Sequence, residues 1–310
     1  MRKRLIPLFL CLVLLAGCAS QPAPADSVMA FTDHTGREIQ APLNPKKVAV
    51  LTSSLADLWL TAGGSVNITV GETVERGFVD ETVVLVDDSA GKTINLELLI
   101  ASEPDFVLYS SDLAGQLECA ETLLDAGIPA AGFGVESFFD YLELLKICTG
   151  ILGTEERWLT YGRDVKLRAD ELIETAQSQP EQPSVLFVRA GSSAKYTKAK
   201  TAENHFVCGM LQELGVLNIA DAAPVLLDGL SIEEILLADP DAILFTTMGD
   251  EATGIAYMES LLADPVWQSL TAVQEGRVYQ LPKEWFQYKP NSCWDEAYAY
   301  LIALLYGDIV

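Results

Sequence analysis

The 310-residue sequence predicts an α/β protein: two Rossmann-like lobes with mostly parallel sheets, joined by a single long backbone helix. Three observations predict this. The chain repeats itself: Asn95-Leu96-Glu97 aligns with Ser231-Ile232-Glu233, and the ungapped continuation matches Pro104 with Pro240, Asp105 with Asp241 and Leu108 with Leu244. Tyr109-Ser110-Ser111 then falls on Phe245-Thr246-Thr247, so both segments read as a short helix, a Pro-Asp turn and an apolar strand. Short apolar runs alternate with amphipathic stretches on both sides, which is the pattern of parallel βα units. Between the two runs lies a long tract of helical period.

From the N-terminus, Arg2, Lys3 and Arg4 precede Leu5 to Leu15, an apolar stretch of eleven residues. A hydrocarbon core takes about twenty, so this stretch reads as a signal peptide over 1–17. Leu15-Ala16-Gly17-Cys18 resembles the lipobox of bacterial lipoproteins, which implies a lipid on Cys18. Residues 18–30 then read as lipidated cysteine and flexible tether, rich in Ala, Pro and Ser. The N-terminal lobe is placed at 31–150. It has strands at Lys47 to Leu51, Thr82 to Val86 and Ala130 to Phe133, with helices near Ser54 to Ala62 and Gln116 to Ala126. Phe138 to Leu152 and Glu155 to Gln177 read as helices, and the link is placed at 151–180. Gln179-Pro180-Glu181-Gln182-Pro183 ends it. The C-terminal lobe, 181–310, runs through Val185 to Val188, Phe206 to Leu214, Ile232 to Leu237, Ala242 to Phe245 and Val278 to Leu281. It closes on a helix from Trp294 to Tyr306. One packed helix between lobes resists bending, so modest closure is expected.

Composition narrows the function. The net charge is −24, and removing the three basic residues of the signal leaves −27. That sign excludes nucleic acid, whose binding rests on Lys and Arg, and it steers the chain towards basic partners. Cys119, Cys148, Cys208 and Cys293 form no CxxC pair, so a structural zinc is not expected and the thiols read as mostly free and buried. Gly91-Lys92-Thr93 lacks a phosphate loop's first glycine, Val86 standing in its place. There is no Gly-x-Ser-x-Gly elbow, and two histidines are too few for capture of a free transition metal. Neither an enzyme nor an intrinsic cofactor is expected.

In open α/β sheets ligands bind beyond the carboxyl ends of the strands, and in a two-lobed chain those ends face one cleft. This rule nominates Ser53, Arg76, Tyr109 and Ser110 from the first lobe. From the second it nominates Arg189, Tyr196, Met248, and Trp285, Phe286 and Tyr288 within Glu284 to Lys289. Aromatics crowded beside a cation suit a large flat ligand with negative charge. The same aromatics could instead fill the junction with the final helix. Arg76 and Arg189 stand out because bases are scarce, and each could pair with a ligand carboxylate or phosphate or with a surface acid.

The chain resembles the helical-backbone class of solute-binding proteins of ABC importers, which handle ferric siderophores, haem and corrinoids. The landmarks are Phe31-Thr32-Asp33-His34-Thr35-Gly36-Arg37, Pro45-Lys46-Lys47-Val48-Ala49-Val50, Asn95 to Val107, Ser231 to Leu244, and Trp267 to Tyr279 with Gly276-Arg277-Val278-Tyr279. They follow the family's order over roughly residues 30 to 306. The resemblance implies an extracytoplasmic, lipid-anchored monomer that passes a metal chelate to an ABC permease dimer with its ATPase. It also implies that Glu97 and Glu233 dock on permease arginines, although each sits near a helix N-terminus, where a carboxylate already suits the dipole. A ferric siderophore is the first-ranked ligand, a corrinoid the second and haem the third. A haem-binding relative would take an axial ligand from His205, Tyr109, Tyr196 or Met248, whereas His205 equally reads as a helix-start residue. No direct metal site is expected otherwise. A sensor or adhesion module without transport is the reading from a different class.

Overall fold

The computed structural model describes residues 27–87, 91–307 and 309. The signal peptide, Cys18 and most of the tether lie outside the described residues. The chain opens with an antiparallel hairpin, β1 (Val28–Thr32) and β2 (Glu38–Pro42). Alternation along β2 buries Ile39 and Ala41 and leaves Glu38 and Gln40 in solvent. The Asp33 carboxylate shapes the turn by accepting the Thr35 and Arg37 N–H groups, each at 3.0 Å, and it reaches the Gly132 N–H at 2.8 Å.

The first sheet contains β3 (Val48–Val50), β4 (Ile68–Thr69), β5 (Val84–Leu85), β6 (Phe106–Ser110) and β7 (Ala130–Phe133). Its order is β5-β4-β3-β6-β7 and all its pairings are parallel. The second contains β8 (Ser184–Ala190), β9 (Lys198–Ala199), β10 (Leu217–Asn218), β11 (Ala242–Thr247) and β12 (Val278–Gln280). Its order is β10-β8-β11-β12, parallel throughout, with the short β9 antiparallel to β8. The central strands are apolar on both faces, as parallel strands between helices must be. Val48–Val50, Phe106 to Tyr109 and Val185 to Val188 are all buried.

The internal repeat survives as geometry. In register, Val48 pairs with Phe106 in one lobe and Val185 with Ala242 in the other. Asp105, before β6, accepts the Lys46 and Lys47 N–H groups at 2.7 and 2.8 Å. Its repeat partner Asp241, before β11, accepts the Ser184 N–H at 2.7 Å. Glu103 and Asp239, two residues earlier in each copy, share a left-handed backbone, with φ of 46° and 40°.

The helical tract runs between the sheets. Ser137 caps Phe138–Leu152 by accepting the Asp140 N–H, and Gly153 ends it at φ 67°. Glu155–Trp158 and Asp164–Gln177 then form one rod through a π-helical turn at Leu159–Arg163. The C-terminal helix Trp294–Leu305 packs along this rod, and Arg168 Nε meets Asp295 Oδ2 at 2.5 Å. One buried cluster runs continuously from Val48 and Phe106 through Tyr141 and Leu144 to Phe187 and Trp294. The lobes therefore share a core along the tract. Cys119, Cys148, Cys208 and Cys293 are all free thiols, the first three buried. Among the described residues no helix is long and apolar enough to cross a membrane.

Candidate functional site

The carboxyl ends of both sheets meet across a cleft of about 630 Å³. On the first lobe, β3 leads through Leu51 to Thr52, whose hydroxyl caps the helix Ser53–Thr61. That cap places Ser53 and Asp57 one turn apart, on a shared face of the helix. β4 leads into the helix Gly71–Glu75, and Arg76 follows at its C-terminus. Ser53 Oγ donates to Glu72 Oε2 at 2.5 Å and accepts from Arg76 Nη1 at 2.9 Å. The guanidinium lies over the Phe78 ring at 4.6 Å and over the Tyr288 ring at 4.0 Å. Burial pushes its pKa down, while the charges of Asp57, Glu72, Tyr288 and Glu284 oppose that. It remains a cation, as arginine does.

On the second lobe, β12 leads through Pro282 into the helix Lys283–Phe286 and then to Tyr288 and Lys289. Lys283 Nζ donates to the Gly249 carbonyl at 3.3 Å and lies 5.3 Å from the Tyr288 ring. Lys289 Nζ pairs with Glu136 Oε1 at 2.8 Å and lies over Phe206 at 4.2 Å. Burial pushes the Lys289 ammonium down, and Glu136 holds it up. Asn291 Nδ2 reaches Asp57 Oδ2 at 2.7 Å. Contacts thus cross the cleft from Arg76 to Tyr288, from Lys289 to Glu136, and from Asn291 to Asp57 and the Ser54 carbonyl.

Of the residues nominated from sequence, Arg76, Trp285 and Tyr288 line this cleft, and Ser53 is bonded to Arg76. Ser110 ends β6 half-buried, its Oγ accepting the Asp112 N–H at 3.2 Å. Arg189, in the last pairs of β8, and Tyr196 and Met248, beyond the carboxyl ends of β8 and β11, do not line the cavity. Two nominations need correction. Tyr109 is fully buried, its hydroxyl bonded to Arg37 and its ring against Gly132. Phe286 is fully buried against Trp285 and Tyr300, so it packs the junction with the final helix. Sequence reasoning missed Asp57, Lys283 and Asn291. The i, i+4 spacing of Ser53 and Asp57 was the available signal for the first.

His205 is buried at the start of Phe206–Glu213 and does not line the cleft. Among the described residues no group of three or more His, Cys, Asp or Glu side chains could hold a metal ion. Glu97 and Glu233 are exposed in the first turns of Leu96–Ala101 and Ile232–Ala238.

The profile of a family described as periplasmic binding protein matches residues 48–285. No match is found among curated protein sequences. Solved structures share the fold. The heme-binding protein RhuT of Roseiflexus sp. RS-1, in apo form, is 18% identical with a TM-score of 0.70, over 85% of this chain and 98% of that one. Staphylococcus aureus SirA complexed with staphyloferrin B is 16% identical with a TM-score of 0.67, over 89% and 98%. The vitamin B12 binding protein BtuF of Vibrio cholerae is 18% identical with a TM-score of 0.68, over 86% and 98%.

Proposed function

This chain belongs to the periplasmic binding protein family, and we propose that it is the substrate-binding lipoprotein of an ABC importer, capturing a ferric siderophore between its lobes and delivering it to a permease dimer driven by its ATPase. The observation that carries this reading is Arg76, a cation held in the cleft by Ser53 and faced by two aromatic rings. In the free protein Tyr288 from the opposite lobe covers it. An anionic chelate would exchange that contact for charge-assisted hydrogen bonds, with Trp285 and Phe78 offering apolar walls and Lys283 and Lys289 further positive charge, against the carboxylates of Asp57, Glu72, Glu75, Glu251 and Glu284 in the same lining. Ser53, Arg76, Trp285 and Tyr288 are the binding residues on this reading; Ser110, Arg189, Tyr196 and Met248 belong to an outer rim.

Haem ranks below a siderophore because among the described residues neither His nor Met lines the cavity, and Tyr288, which does, is stacked on Arg76. A corrinoid ranks between them, favoured by the aromatic wall and disfavoured by the cations. Relatives of the same fold carry the words staphyloferrin B, heme and vitamin B12, so all three classes belong in the test. The experiment is to purify the chain from Asp26 onward and titrate it with ferric siderophores, cobalamin and hemin, following absorbance and tryptophan quenching. A ferric, anionic siderophore should bind, and Arg76→Gln should weaken it by about tenfold or more, the loss of one charged hydrogen bond. A Soret band that shifts on binding hemin overturns the ranking. Silence towards all three overturns the chelate reading and favours a sensor.

A further inference from the structure

Asp57 lines the cleft from the helix Ser53–Thr61, beside Arg76. Asn291 comes from the turn before the C-terminal helix, is 1% exposed and holds a left-handed φ of 48°. Its Nδ2 donates to the Ser54 carbonyl at 3.0 Å and to Asp57 Oδ2 at 2.7 Å. Its Oδ1 is buried without a partner. Buried acceptors are rarely left so. An ionised Asp57 cannot relieve this one, because a carboxylate only accepts. A protonated Asp57 can, since its O–H supplies the missing donor while its other oxygen keeps the Nδ2–H. The result is a ring of two hydrogen bonds.

The charges around Asp57 bear on the same point. Burial raises its pKa most strongly, and the Asn291 hydrogen bond and, after it, the Arg76 charge favour its ionised form. Glu72, on the next helix, shares Arg76 through Ser53. Tyr141 from Phe138–Leu152 and Cys293 from the turn after Asn291 also face Asp57, and neither brings a positive charge. An anion seated on Arg76 would therefore offset the one positive charge in this set that favours the ionised form of Asp57.

We propose that Asp57 is a proton-coupled specificity residue of the cleft: when an anionic ligand engages Arg76, Asp57 takes up one proton from solvent and donates it to Asn291 Oδ1. The proposal rests on the reading of the cleft as an anion site. The proton returns to solvent when the ligand leaves. Uptake of a proton on binding means that affinity for an anion rises as pH falls through the Asp57 midpoint. A neutral ligand, which leaves Arg76 charged, gains nothing. The device selects for charge as well as shape.

The test needs no ligand. In the purified protein the Asp57 carboxyl carbon is assigned by triple-resonance NMR and followed against pH. Its midpoint should lie above the ordinary value of about 3.9 and should rise by about one unit in Arg76→Gln, which removes the cation as a bound anion would. A second measurement uses Asp57→Asn, whose amide can make both hydrogen bonds without a charge. It should melt at or above wild type at pH 7, with the gap closing below about pH 4, where the wild-type carboxyl is protonated folded or unfolded. Asp57→Ala, which makes neither bond, should melt lower than both. A midpoint at or below 3.9, one unmoved in Arg76→Gln, or an Asp57→Asn protein that melts well below wild type at pH 7 overturns the proposal. None of these readouts involves cargo, so failure here leaves the cleft assignment to its own titration.

Discussion

The His205 ring sits between Phe187, at 4.8 Å, and Phe206, at 5.2 Å, and its Nδ1 accepts the Val207 N–H at 3.3 Å to cap a helix. Burial, reinforced by the charges of Lys289, Arg189 and Lys200, pushes its pKa down to about 3. The imidazole is therefore neutral in the fold. With Nδ1 accepting, Nε2 carries the proton, and iron ligation would cost either the cap or that tautomer. Because the folded value lies below the usual 6.5, the stabilising contribution of the neutral ring is complete above pH 6.5 and is lost as pH falls from there towards 3. His205→Asn keeps a capping side chain and cannot charge. Urea unfolding followed against pH should show the variant gaining on wild type by about 2 kcal/mol between pH 7 and pH 4.5. Parallel curves would mean that the ring titrates normally. Tyr109 teaches the same lesson about side-chain direction. A Cβ added to Gly132 would stand 2.6 Å from its ring, so glycine on β7 is what makes room for a tyrosine in that layer.

At the scale of elements, the two copies of the repeat are held by the same device. Asp105 gathers the N–H groups that begin β3, and Asp241 gathers the one that begins β8. Asp105→Ala and Asp241→Ala should each cost about 1–3 kcal/mol, since backbone donors lose a charged partner. Sitting in different lobes, the two losses should add within about 0.5 kcal/mol. Urea melts of the singles and the double measure this, and a silent single would mean that water replaces that aspartate. The device also explains what was legible in the sequence. The Pro-Asp turn and the five- and six-residue strands after it carry a strong local signal, and they located β6 and β11. Ile68–Thr69 and Lys198–Ala199 are two residues each, too short for any period, so β4 and β9 exist only through pairing. The strand-end rule found the loops that hold Arg76, Trp285 and Tyr288. It says which loop faces the cleft but not which side chain: alternate residues of a strand point to opposite faces, which misplaces Tyr109, and the short helix Lys283–Phe286 turns Phe286 against Tyr300 of the final helix. The Asp57–Asn291 contact spans 234 positions, and no local pattern announces it.

At the scale of the molecule, the shared core and the single helical rod between the sheets make the lobes poor candidates for wide opening. If the chain delivers cargo as proposed, it would signal its loaded state through small shifts, and its docking points would need rigid elements at fixed separation. Glu97 and Glu233, proposed as those points, fit that need. They occupy matching positions of the repeat, in exposed first turns, Asn95 capping one helix and Ser231 Oγ donating to Glu233 Oε2 at 3.1 Å. Neither lines the ligand cleft. Replacing both by lysine should therefore leave the chelate's Kd within about twofold, because exposed charges distant from a site contribute little to it. On the proposed docking role uptake by cells should fall to background, since charges that would attract basic permease surfaces become repulsive. Each single reversal should keep part of the rate. The decisive comparison measures chelate Kd by tryptophan quenching beside the uptake of labelled chelate in the same strain. Normal uptake in the double variant removes these glutamates from the docking surface, and a loss of both affinity and uptake places them in binding or folding instead.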